Sequence, residues 1–75
     1  MKKKLVILGA GESGVGAAML ARQRGYDVFV SDGGEIRENY KSELQLGNIE
    51  FEEKQHSIEK ILKADEVMKS PGIPE

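Results

Sequence analysis

Leu5-Val6-Ile7-Leu8-Gly9-Ala10-Gly11-Glu12-Ser13-Gly14 is the stretch on which the fold turns. Its first four residues form a continuous apolar run between lysines and a glycine, the pattern of a parallel strand covered on both faces. Its last six match G-x-G-x-x-G. Gly9 allows a tight turn off the strand, Gly11 lets backbone approach a pyrophosphate, and Gly14 permits close helix–strand contact. From Ser13 the period changes: Val15, Ala18, Met19 and Arg22 fall on one helical face. Arg22 and Arg24 suit the negative end of the helix dipole, and Gly25 supplies a left-handed stop. A helix beginning on this loop presents unpaired N–H groups and a positive dipole end to a phosphate.

Outward from this unit, Val28-Phe29-Val30 reads as a second buried strand, closed by the turn cluster Ser31-Asp32-Gly33-Gly34. Ile36, Tyr40 and Leu44 recur at four-residue spacing before Gly47, which predicts a second helix. Ile49 and Phe51 alternate with Glu50 and Glu52, as in a strand with one exposed face. Ser57 stands where it would cap a short helix carrying Ile58, Ile61 and Leu62. Val67-Met68 is a fourth strand, ended by Ser70-Pro71-Gly72. The order βαβαβαβ with right-handed crossovers predicts an α/β, Rossmann-like parallel sheet of about four strands, order 3-2-1-4, with helices on both faces. Strands three and four are then the edges. Glu50, Glu52 and Glu53 discourage pairing at one of them, while the other has little such protection, so artefactual self-association through the fourth strand, or fraying of it, is expected.

With 75 residues the chain is one small domain, 1–75. Its net charge of -2 offers no general basic surface, which argues against nucleic acid or anionic membrane as partners. Lys2-Lys3-Lys4 reads as a solvated run leading into the first strand. The absence of cysteine excludes disulfides and thiolate metal sites. Leu5–Leu8 is too short for a signal-peptide core or a membrane span, so a cytoplasmic location is the expectation.

Among the polar residues, Ser13 either donates to a phosphate oxygen or caps the helix, and Glu12 points to solvent. Asp32 follows the glycine loop by about 20 residues, where dinucleotide enzymes keep a ribose-binding acid; Asp before Gly is also an ordinary turn residue. His56 has no second ligand or carboxylate partner at useful spacing. It reads as a solvated residue near a helix start, neither catalytic nor part of a metal site.

Ser70-Pro71-Gly72-Ile73-Pro74 at the end of the fourth strand is not a usual dinucleotide signature. With the Gly9–Gly14 loop and the Asp32 turn, it makes the whole chain resemble the amino-terminal domain of the Mur ligases, the D-glutamate-adding members most of all. The resemblance implies that the domain binds the UDP portion of UDP-N-acetylmuramoyl-L-alanine in place of NAD. By matching position, Gly11, Glu12, Ser13 and Gly14 would meet the diphosphate, Asp32 and Gly33 the uracil, and Ser70, Pro71 and Gly72 the sugar side. Many relatives carry a hydroxyl residue where this chain has Gly33, which leaves only backbone for contact there. ATP and Mg²⁺ are implied for a full-length ligase of peptidoglycan synthesis. A G-x-x-x-x-G-K-[ST] loop for ATP is absent from these 75 residues. The resemblance therefore implies an incomplete domain of a larger enzyme, holding no cofactor and no catalytic residue of its own. The competing readings are the NAD-binding domain of a dehydrogenase or transport regulator, and a regulatory module on a degenerate Rossmann fold.

Overall fold

The computed structural model describes residues 2–69; Ser70–Glu75, and with them the Ser-Pro-Gly-Ile-Pro ending, lie outside the described residues. The elements run β1 (Lys4–Leu8), α1 (Glu12–Gln23), β2 (Asp27–Ser31), α2 (Glu38–Leu46), β3 (Glu50–Glu52), α3 (Ile58–Leu62) and β4 (Glu66–Lys69). All three strand pairings are parallel, and the sheet order is β3-β2-β1-β4, as the sequence predicts.

The period-two geometry of the strands sorts their residues onto two faces. Leu5 and Ile7 lie level with Val28 and Val30, and the next positions outward are Phe51 and Met68. This face meets Val15, Ala18 and Ala21 of α1, Leu44 of α2, and Ile36 and Ile49 in one apolar core. The other face presents Val6, Phe29, Ser31, Glu52 and Val67, and α3 crosses it with Lys60 Nζ 4.3 Å from the Phe29 ring centre. Helices thus stand on both faces. They cover them unequally, because Ile58 and Leu62 of α3 remain 61% and 79% exposed. Of the apolar residues expected on this helix only Ile61 is half-buried: at five residues it is too short to lay a stripe across the sheet.

The helix ends also refine the sequence reading. Gly25 has φ 90 and stops α1 in the expected left-handed conformation. At α2 the left-handed residue is Asn48 (φ 55), not Gly47. Gly47 is the C-cap of α2 and lies close to α1, where a Cβ would meet Met19 Sδ at 2.8 Å and oblige that side chain to shift. Ile36 was expected inside α2, yet it is buried just ahead of it, where its N–H donates to Glu53 Oε1 at 2.9 Å. The strands β3 and β4 are the two edges; β4 carries Glu66 and Lys69 at its ends.

Candidate functional site

In a sheet of this order, the loops after the strands gather at the carboxyl edge, where the chain reverses direction across the sheet. The first of them leaves β1 through Gly9, whose φ of 104 only glycine adopts without strain. Its N–H donates to Ser31 O at 2.8 Å, which binds the turn to the end of β2. Asp32 strengthens that junction. Its Oδ2 accepts the Ala10 N–H at 2.8 Å and its Oδ1 accepts the Gly34 N–H at 2.9 Å. The sequence offered Asp32 as a ligand-binding acid or a turn residue. It forms the turn, and it also clamps the glycine loop to β2 across 22 residues.

Gly11 differs from Gly9 in a way that matters for function. It stands at the N-cap of α1 with φ -83 and ψ -169, extended backbone open to any residue. A Cβ built on it would have no atom within 4 Å. Neither backbone strain nor crowding inside the chain therefore demands glycine here. The space a side chain would fill is open, at the residue that immediately precedes the helix. Val15 donates to Gly11 O at 2.9 Å, so the N–H groups of Glu12, Ser13 and Gly14 precede the first intrahelical bond. No side chain caps them. Ser13 is the second residue of α1 and exposed, so the capping role considered for it is excluded. Gly14 is buried against the sheet beside Val15, as expected from close helix–strand contact.

The loop after β3 is sewn to the Asp32 turn. Lys54, in the left-handed region at φ 60, donates its N–H to Gly34 O at 2.9 Å, and Gln55 N–H donates to Asp32 O at 3.3 Å. Beneath them lies a polar cluster that the sequence reading missed. Ser31 Oγ, wholly buried, is 2.8 Å from Glu52 Oε2 and 2.6 Å from His56 Nδ1. Glu52 also accepts the Ser57 N–H at 2.7 Å and the Ser57 hydroxyl at 2.6 Å. Ser57 does occupy the N-cap of α3, but its hydroxyl serves Glu52 and not the helix. Burial pushes the Glu52 carboxyl up; the bonds from Ser57 and Ser31, with the charge of Lys60, outweigh it and hold the group below its ordinary value. Glu53 is lowered as well, first by its contact with Lys41 (2.7 Å) and then by the Ile36 N–H. Thus two of the three glutamates expected to guard the sheet edge are internal connectors, and only Glu50 is fully exposed among them.

His56 is exposed, as expected, yet it is tied through Ser31 to a carboxylate. This is not a nucleophilic triad. The hydroxyl sits between ring and carboxylate and is buried, so no attacking oxygen faces a substrate. The one signal available in the sequence was Ser31 itself, a polar residue continuing the buried run Val28-Phe29-Val30. A separate hollow of about 170 Å³, lined in part by Lys4, Asp27, Phe29 and Lys60, opens at the strand starts, away from these loops. Among the described residues no group of three or more His, Asp or Glu could hold a metal ion, and no helix is long and apolar enough to cross a membrane.

The parallel order, the glycine turn and the uncapped helix start define a Rossmann-like α/β unit with an open position at Gly11. The chain belongs to the family described as the MurD N-terminal domain, whose model matches residues 4–75. It is 57% identical over all 75 residues to a UDP-N-acetylmuramoylalanine--D-glutamate ligase of Christiangramia forsetii and 59% identical to the one of Cytophaga hutchinsonii. It is 57% identical over 72 residues to that of Bacteroides fragilis. The first two matches span 17% of the relatives' length and the third 16%.

Proposed function

We propose that this chain binds the UDP portion of UDP-N-acetylmuramoyl-L-alanine and serves a ligase that adds D-glutamate to that substrate in peptidoglycan synthesis. The names of the relatives support the substrate class. The observation that carries the reading is Gly11: a glycine that the fold does not need, with empty space above it, at the uncapped start of a helix. Such a position suits a diphosphate, which takes hydrogen bonds from the N–H groups of Glu12, Ser13 and Gly14 and the favourable end of the dipole. The Ser13 hydroxyl is free to donate as well. Asp32 and Gly33, tied to the same loop, then face the uracil, and Ser70, Pro71 and Gly72 the sugar side. The two oxygens of Asp32 each retain accepting capacity beyond the bonds they make in the free chain.

ATP and Mg²⁺ belong to the reading of the whole ligase, where they would activate the substrate carboxylate for attack by D-glutamate. The residues of this chain do not fit them. It has no glycine-lysine loop, and its described residues hold no carboxylate cluster for a metal. No chemical step is therefore assigned to it; its part is to hold and orient the nucleotide.

The competing ligand is NAD, which the loop and Asp32 also suit. Separate titrations of UDP and NAD into ¹⁵N-labelled chain decide between them. We expect UDP to shift the amides of Gly11–Gly14, Asp32 and Gly33 at concentrations where NAD leaves them unchanged. The reverse outcome replaces this reading with the dehydrogenase one.

A further inference from the structure

Gly33 is a second glycine that the backbone does not explain. Its φ lies outside the left-handed region, since Gly9 and Gly25 are the glycines with positive φ among the described residues. Something else occupies the space: a Cβ on Gly33 would stand 3.1 Å from His56 Nε2. The imidazole edge thus lies close beside the place where a side chain of residue 33 would begin. Two restraints hold it there. The loop before it is bonded to the Asp32 turn through Lys54 and Gln55, and the ring itself is bonded to Ser31.

That second bond has a direction that the other partners of Ser31 favour. The ionised Glu52 and the Gln55 carbonyl, at 2.8 and 3.2 Å, can only accept, so the single Ser31 proton goes to them. The Ser31 oxygen then accepts from His56 Nδ1, and in the neutral ring that leaves the lone pair on Nε2. This lone pair is fixed in direction, beside Gly33, on a residue open to solvent.

We infer that His56 is a base-contacting, specificity-determining residue, whose Nε2 accepts a hydrogen bond from an N–H of the nucleobase laid against the Asp32–Gly33 turn. The inference rests on the UDP reading above and adds to it a side chain for the base, supplied by the loop after β3 in place of one from residue 33. Uracil carries such a donor in its ring N–H. Ser31 and Glu52 are positioning residues, acting only through the ring.

The test uses the full 75-residue chain with UDP and inorganic pyrophosphate as probes. His56→Ala should weaken UDP about fivefold, the loss of one hydrogen bond, while pyrophosphate binding at Gly11–Gly14 stays unchanged. Imidazole ¹⁵N spectra of the wild-type chain provide a reading that needs no variant: Nδ1 protonated in the free chain, and Nε2 displaced on adding UDP. Gly33→Ser should push the ring aside and weaken UDP, and the loss should not add to that of His56→Ala in the double variant. If UDP shifts the glycine-loop amides but leaves Nε2 unmoved, or if His56→Ala binds UDP as wild type does, the role of His56 is overturned and the site reading stands. If wild type does not bind UDP at all, both fall together.

Discussion

The two faces of the sheet are held in different ways. Against α1 and α2, the face formed by Leu5, Ile7, Val28 and Val30 is filled with apolar side chains. Against α3, the face formed by Val6, Phe29, Ser31 and Glu52 is ordered by hydrogen bonds, and its helix leaves Ile58 and Leu62 in solvent. One face therefore holds the chain together by burial. The other aims loops, because directional bonds to Ser31 and Glu52 fix the segment from Lys54 to Ser57 beside the Asp32 turn. A domain of this size has apolar surface for little more than one filled layer.

Removing Leu44 breaks the comparison most severely. It is fully buried between α2 and the sheet, so Leu44→Ala should cost about 2–5 kcal/mol, a large share of what so small a chain has. The midpoint of chemical denaturation measures it. A loss below 1 kcal/mol would show that the apolar layer is not the main support.

A smaller effect is expected on the polar face. Glu52→Ala deprives the Ser57 N–H and hydroxyl of their acceptor, leaves the buried Ser31 hydroxyl only the Gln55 carbonyl, and should cost about 1–3 kcal/mol. The same contacts give stability a pH dependence. Glu52 and Glu53 lie below their ordinary value of 4.5 in the folded chain, so their contribution is complete above that value and is lost as pH falls through the lowered ones. Lys41 is raised above 10.5, first by its hydrogen bond to Glu53, so its contribution is complete below 10.5 and is lost as pH rises past the raised value. Acid unfolding of wild type against Glu52→Gln isolates the first of these. The variant should be less stable at neutral pH and lose less on acidification; parallel profiles would remove Glu52 from the network's support.

The strands were legible in the sequence because local periods mark them, and the glycine loop after the first points to the Rossmann order 3-2-1-4. The glycine loop was legible for the same reason: its turn, helix start and packing glycine are neighbours in the chain. The polar cluster was not. Ser31 and Glu52 are 21 residues apart, and Ser31 and His56 are 25 apart, so each looked ordinary where it stood. Alternation in Ile49-Glu50-Phe51-Glu52 told which way the glutamates point without telling what lies across from them. Gly47 and Gly33 were read as a terminator and a turn residue; that Met19 and His56 stand close beside them in space was not readable from their places in the chain.

The most direct test of the central claim is Gly11→Val, read by melting temperature and by UDP titration on the same sample. Because residue 11 has ordinary backbone angles and open space at its Cβ, the variant should fold with a melting temperature close to that of wild type. Its branched side chain would then stand where the diphosphate must approach, and the UDP-dependent shifts of residues 12–14 should vanish. A folded Gly11→Val chain that binds UDP as wild type does would contradict the assignment of this loop as the phosphate site.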